Sequence, residues 1–248
     1  HWVADRPLLS PLLEGREPGE LWQLSFATDE SHRGGRAVAV VHCEGGRLLY
    51  KPRPMAIDAA LAGFLAQMRP VHTEPLAMRL PASMGFAEHG WSAHVTPRPA
   101  QDDAERRSFH RGFGQWLAMA RLFGGSGLLA DNLVHGGHCY QIDCETLFSP
   151  RRMQAADSFA QAVGLAVRNI DGALLGRFQS EVLDAFDALA ETLHVLDGAG
   201  ALRPMMGGFD ASRIRVVTRA TEVYVELAHM LWHPVSLHDE QAARERAH

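Results

Sequence analysis

The sequence predicts an α+β fold with two lobes, a small antiparallel sheet within residues 1–98 and a mainly helical part in residues 99–248. Alternating apolar runs at 37–41 and 47–50 flank a Glu-Gly-Gly turn, a pattern typical of a β-hairpin. Apolar residues then recur at helical spacing over 57–68, and longer helical patterns dominate the second half of the chain. Together these observations favour a sheet lobe followed by a helical lobe.

Prolines, a helix-capping residue and the spacing of apolar residues predict the remaining elements. The first 20 residues contain three prolines and predict an extended lead-in without a helix. Prolines near 97–100 set the boundary between the lobes. Asp102 or Asp103 is placed to cap a long helix with one aromatic face. Further helices are predicted over 157–168, 181–196 and 221–232, the last stopped by Pro234.

Composition narrows the class of protein. The formal charge of -5 gives no global attraction to nucleic acid, so we expect no nucleic-acid partner. No apolar run approaches the roughly 20 residues that span a bilayer, so no membrane partner is expected either. Three cysteines without the spacing of a disulfide framework suit a reducing compartment. The sequence therefore predicts a cytoplasmic protein.

The stretch from Gly124 to Phe148 carries the strongest functional pattern. It passes through Asn132, makes a Gly-Gly turn and returns as a strand that delivers Asp143 and Glu145. Nucleotide kinases place an Asn and an Asp in this way to hold Mg²⁺ against transferring phosphates. The pattern predicts a metal site made from Asn132 and Asp143.

Lys51 is the second candidate. The chain has 24 Lys plus Arg, and only one of them is lysine, at the end of the strand-like run RLLYKP. Arginine supplies every other basic side chain except the histidines. A single lysine therefore indicates a position that requires a compact ammonium and that a guanidinium does not fill. The alternative is compositional bias with one lysine surviving by chance.

Two further polar segments have a functional and a structural interpretation. Glu30 and His32 precede a glycine-containing turn, where they are available for proton transfer over a phosphate or belong to a solvated loop. Arg215 and Thr221 offer a guanidinium and a hydroxyl to a phosphate, or lie on the surface near a helix start. The Cys/His tract at 135–144 fits no common structural-zinc spacing, and no zinc is expected.

Read together, these segments resemble the dehydratase domain of class II lanthipeptide synthetases, the LanM-type enzymes. The matching pieces run from about residue 29 to residue 233 in the order of that family. They are SHRGGRAVAVV, RLLYKPRP, GWSAHV, LFGGSGLLADNLVHGGHCYQIDCETLF and RIRVVTRATEVYVELAHMLWHP.

The resemblance implies a bilobal fold like that of protein and lipid kinases, and an enzyme acting on a ribosomally made precursor peptide. Such enzymes phosphorylate Ser or Thr with ATP and Mg²⁺, then eliminate phosphate to leave dehydroalanine or dehydrobutyrine. It assigns phosphate contact to Lys51, nucleotide and metal binding to Asn132 and Asp143, and metal binding also to Glu145. These assignments come from the resemblance.

The resemblance likewise assigns phosphate elimination to Arg215 and Thr221, and proton handling to His32 with Glu30 in place of an Asp. Where the family reads approximately T-D-L-H-x-E-N, this chain has Gly127 for the Asp and Leu129 for the His. Loss of a general base costs phosphorylation about 10²- to 10⁴-fold. We therefore expect a phospho-Ser/Thr lyase, with ATP or ADP and Mg²⁺ as optional ligands.

Two alternatives stay open at this stage. The first is a complete ATP-dependent dehydratase in which Asp131 replaces the missing Asp. The second is a non-catalytic pseudokinase that binds a precursor peptide or a partner enzyme. The expected partner is a phosphorylated precursor peptide, together with a separate kinase or cyclase, since we expect a pared-down dehydratase without the zinc-dependent cyclase.

Overall fold

The structure is a computed structural model that describes most of the first 210 residues. The described backbone comprises residues 1–32, 36–124, 133–135, 137–144, 147–148, 176–210, 212–213, 226, 229–230 and 241. Side chains are described at these positions except 27–32, 36 and 133–135. The chain divides into two compact units, residues 1–214 and 215–248. The lobe boundary expected near residue 98 stays a prediction.

The N-terminal segment is helical, so the prediction of an extended lead-in was wrong. Helix α1 spans Trp2–Asp5, and two 3-10 turns follow at Arg6–Leu8 and Ser10–Leu13. Each turn has a proline among its first two residues, where a missing N–H removes no internal hydrogen bond. The prolines therefore start turns here, and the segment buries Leu9 and neighbouring leucines against the first sheet.

The predicted hairpin is confirmed within a five-stranded antiparallel sheet. Its strands, in the spatial order β1-β2-β3-β6-β5, are β1 Leu21–His32, β2 Arg36–Cys43, β3 Gly46–Lys51, β6 Gly90–Ala93 and β5 Ser83–Gly85. The tight turn into β3 requires a glycine at the first residue of the strand, Gly46, whose φ of 142° is disfavoured for residues with a side chain. The mixed α and β architecture and the antiparallel sheet agree with the predicted class.

Three helices build the main core. They are α2 Ala56–Met68, α3 Asp103–Phe123 and α4 Gln179–Gly198, and all three confirm predicted helices. Asp102 is the N-cap of α3, because its Oδ1 accepts a hydrogen bond of 2.8 Å from the backbone N–H of Glu105. A short helix α5, Leu202–Met205, and a 3-10 turn, Met206–Phe209, close the core beyond α4.

A second, three-stranded sheet positions the functional segment. Strand β4, Met78–Arg79, runs parallel to β8, Cys139–Gln141, and β8 pairs antiparallel with β7, Leu133–His135. This arrangement fixes the position at which the segment 142–144 begins. The segment follows β8 and runs toward the end of β3. The predicted return strand is thus confirmed, while its parallel partner was not predicted.

Within the described residues, no helix is long and apolar enough to cross a bilayer. The predicted helix over 157–168 lies outside the described residues, and the one over 221–232 lies mostly outside them.

Candidate functional site

Lys51 lies at the end of β3 with its side chain almost fully buried. The residue is 7% exposed, and its Nζ donates a hydrogen bond of 2.6 Å to the carbonyl oxygen of Ile142, just beyond β8. The Nζ also lies 3.9 Å from Oδ1 of Asp58. The lysine singled out by the sequence therefore connects the first sheet to the segment that follows β8.

Asp58 lies in the first turn of α2, where a carboxylate is favoured by the helix dipole. Its carboxylate accepts hydrogen bonds from both terminal nitrogens of Arg53. Nη1 lies 2.8 Å from Oδ2, and Nη2 lies 3.4 Å from Oδ1. Their side chains are 10% and 11% exposed. Two parallel contacts between a guanidinium and a carboxylate fix the relative orientation of the two groups.

Asp143 joins the same cluster through the same guanidinium. Arg53 Nη2 lies 3.1 Å from its Oδ1. The buried amide of Gln141 donates to the backbone carbonyl of Asp143, which fixes the turn out of β8. Lys51, Arg53, Asp58 and Asp143, here called the ion-pair cluster, thus come from three separate segments of the chain.

A small cavity adjoins the ion-pair cluster. Its volume is about 10 Å³, enough for on the order of one water molecule. Ser92 lines it, is 2% exposed, and has no hydrogen-bond partner for its hydroxyl among the described residues. The other lining residues are Lys51, Met55, Asp58, Leu80, Pro81, Ser83, Gln141 and Ile142.

Cys144 follows the cluster and is also buried. Burial raises the pKa of its thiol far above the ordinary value, with the nearby carboxylate of Asp58 adding to the shift. A thiol that stays protonated is neither a nucleophile nor a good metal ligand. Cys144 therefore has a packing role among these charges.

The structure brings together two of the residues predicted from the sequence, Lys51 and Asp143. Glu30 and His32 belong to strand β1, but their side chains lie outside the described part of the molecule. Four predicted site residues also lie outside it: Asn132, Glu145, Arg215 and Thr221. For these six, the assigned roles stay predictions.

Sequence reasoning missed Arg53 and Asp58. An acidic residue in a helix first turn is common, so Asp58 gave no distinctive signal. Arg53 lies in the run KPRP, where the two flanking prolines restrict the backbone, and that rigidity was the available hint.

Among the described residues, no group of three or more His, Cys, Asp or Glu side chains could hold a metal ion, so a Mg²⁺ site would need side chains from outside them. Asp143 supplies a carboxylate whose side chain is 27% exposed, and Mg²⁺ prefers such oxygen ligands. Lys51 supplies a compact cation of the kind that contacts phosphates. When bound, Mg²⁺ would neutralise phosphate charge beside Asp143.

Comparison with protein families gives one informative result. A family model described as a domain of unknown function (DUF4135) matches residues 1–169 and 166–248, which together span the whole chain. That family is associated with lanthipeptide synthetases of the LanM type. A search of curated proteins finds no match to the chain.

Proposed function

The chain belongs to the DUF4135 family, and from this membership and the ion-pair cluster we propose that it modifies a ribosomally made precursor peptide. The proposed reaction eliminates phosphate from phosphoserine or phosphothreonine, leaving dehydroalanine or dehydrobutyrine. The observation that carries the proposal is the meeting of Lys51 and Asp143 around Arg53 and Asp58. In this cluster, Lys51 is the buried cation proposed to contact a phosphate, and Asp143 is the acid proposed to hold its metal ion.

The order of these groups along the chain supports a kinase-like, two-lobed arrangement as part of the proposal. Protein kinases pair a lysine of the third strand with an acid of the following helix, and place an acid after a later hairpin to hold Mg²⁺. Here Lys51 ends β3, Asp58 lies in the first turn of α2, and Asp143 follows the β7–β8 hairpin. Lys51 and Asp58 lie 3.9 Å apart.

The proposed elimination forms a carbon–carbon double bond and releases phosphate. A base removes the α-proton of the phosphorylated residue, and its electron pair forms the Cα=Cβ double bond. The Cβ–O bond breaks and phosphate leaves as the anion. We assign the proton transfer to His32 or Glu30, and the leaving phosphate to Lys51, Arg215 and Thr221, because cations and donors stabilise developing negative charge.

Nucleotide and metal binding belong to the same proposal. Asn132, Asp143 and Glu145 would hold Mg²⁺, and Lys51 would contact the phosphates of ATP or ADP. The Lys51 ammonium is already oriented by the Ile142 carbonyl, so little side-chain freedom is lost on binding.

A second candidate function is a complete dehydratase that also phosphorylates the peptide. The retention of Lys51 and Asp143 in one cluster favours it, because ATP-dependent transfer needs both groups. The replacements at Gly127 and Leu129 weigh against it, since a general base is then missing.

Mass spectrometry of peptides separates these functions. Phosphoserine and phosphothreonine peptides are incubated with the protein, with and without ADP and Mg²⁺, and unmodified peptides with ATP and Mg²⁺. Loss of phosphoric acid from the phosphopeptides alone supports the lyase, whereas dehydration of the unmodified peptides supports the complete enzyme.

The same assay on variants checks the assigned residues. Arg215→Ala is expected to abolish phosphate loss, while Arg69→Ala, at an exposed arginine, leaves it unchanged. Unaltered masses in every arm would contradict both catalytic functions and favour a non-catalytic peptide-binding role.

A further inference from the structure

We propose that Arg53 is an internal cation that occupies the carboxylate of Asp143 and must release it when a divalent metal ion binds. This inference rests on the proposed role of Asp143 as a metal ligand. It assigns a function to a residue in the turn after β3.

The backbone around Arg53 is stiff. Pro52 and Pro54 flank the residue, and each proline fixes its own φ while restricting its neighbour. The side chain is anchored on one side by Nη1, which donates to the carbonyl oxygen of Pro54 at 3.2 Å and to Oδ2 of Asp58 at 2.8 Å. Neither anchor involves Asp143.

The other terminal nitrogen of the guanidinium, Nη2, contacts the carboxylates of Asp58 and Asp143. Nη2 lies 3.4 Å from Oδ1 of Asp58 and 3.1 Å from Oδ1 of Asp143. One positive nitrogen therefore sits between two carboxylate oxygens, which is a placement that also suits a divalent cation. Among the four described side chains of the ion-pair cluster, the positive charges of Lys51 and Arg53 face the negative charges of Asp58 and Asp143.

Because Arg53 contacts the Asp143 carboxylate, the arginine and a metal ion compete for it. A metal ion approaching Asp143 meets a positive charge in contact with the same carboxylate, and the repulsion weakens binding. Breaking the Nη2–Asp143 contact leaves the anchors to Asp58 and Pro54 in place. Arg53 is thus able to release Asp143 and stay paired with Asp58.

The test measures Mn²⁺ binding to the full chain by electron paramagnetic resonance, without nucleotide or peptide. Arg53→Gln is expected to bind Mn²⁺ about tenfold more tightly than the wild type, because one repelling charge is gone. Asp143→Asn is expected to abolish this binding in both backgrounds. The matched control is Arg98→Gln, since Arg98 forms the same kind of fork with Glu105, at 2.7 and 2.6 Å, and should leave the affinity unchanged.

Equal or weaker binding by a folded Arg53→Gln protein overturns the inference, as does the absence of Mn²⁺ binding by both proteins. If Arg53→Gln fails to fold, the test uses the wild type. The rate at which phenylglyoxal labels Arg53 is then measured by peptide mapping, with and without Mn²⁺. Arg53, whose side chain is 11% exposed, should react several-fold faster when Mn²⁺ is present. An unchanged or slower rate overturns the inference. Neither measurement uses peptide turnover, so failure of the proposed elimination would leave the result interpretable.

Discussion

The Nζ of Lys51 donates a 2.6 Å hydrogen bond to the carbonyl oxygen of Ile142, which lies 91 residues later in the chain. This contact ties the end of β3 to the segment leaving β8, and it orients the ammonium toward Asp58. It makes the position of the chain's one lysine dependent on both sheets.

Replacement of Lys51 tests this relationship. Lys51→Met is expected to reduce the free energy of unfolding by about 1–3 kcal/mol, because the Ile142 carbonyl loses its donor. It is also expected to abolish ADP binding, measured by calorimetry. Lys51→Arg keeps the charge, but the adjoining cavity of about 10 Å³ does not accommodate the larger guanidinium. Normal ADP affinity in Lys51→Arg would contradict the requirement for an ammonium.

Removing the carboxylate of Asp58 is expected to be more damaging to stability. Asp58→Asn leaves the buried cations of Lys51 and Arg53 with less opposing charge, and breaking a buried pair costs about 3–5 kcal/mol. Urea denaturation measures the loss. As a control, Glu14→Gln breaks an exposed pair with Arg16 and should not move the midpoint measurably. A similar midpoint for both variants would show that the cluster adds little stability.

Stability should fall in mild acid because of His110. Burial lowers the pKa of this histidine below the ordinary value of 6.5. Its Nδ1 lies 2.7 Å from the Arg106 carbonyl oxygen, so this nitrogen carries the proton, and its Nε2 has no partner among the described residues. A second proton on Nε2 would therefore be buried without an acceptor.

The direction of the pH effect follows from this environment. Below about pH 6.5 the unfolded chain binds the proton and the folded chain does not, so stability is full above that pH and declines as the pH falls. Urea midpoints from pH 8 to pH 5 should decline less steeply in His110→Gln than in the wild type. Identical slopes would assign the acid sensitivity to other groups.

Close packing of α3 and α4 depends on Gly114. A Cβ at this position would lie 2.1 Å from the backbone oxygen of Val182, which cannot move without shifting α4. Gly114→Ala is therefore expected to destabilise the protein strongly. Gly63, in α2, has open space at its Cβ, so Gly63→Ala should stabilise by about 0.5–1 kcal/mol through helix propensity. Thermal melting should show a lower Tm for Gly114→Ala and a higher Tm for Gly63→Ala. Equal shifts in Tm would contradict the packing argument.

Local pattern was sufficient for much of the architecture. Alternation located β2 and β3, helical periodicity located α2, α3 and α4, and a capping residue located the start of α3. These elements follow from the sequence because each one buries a single face with a simple repeat. The N-terminal segment was missed because its prolines fit the first turn of a helix as well as an extended chain.

The sequence by itself determined that Lys51 and Asp143 are unusual, because one is the only lysine and the other follows a recognisable hairpin. Only the tertiary structure decided that Arg53 and Asp58 join them. The physical reason is that ion pairing depends on distances of a few ångströms between segments far apart in sequence, and no local repeat encodes such distances. The parallel pairing of β4 with β8 was decided in the same way, by packing against α3.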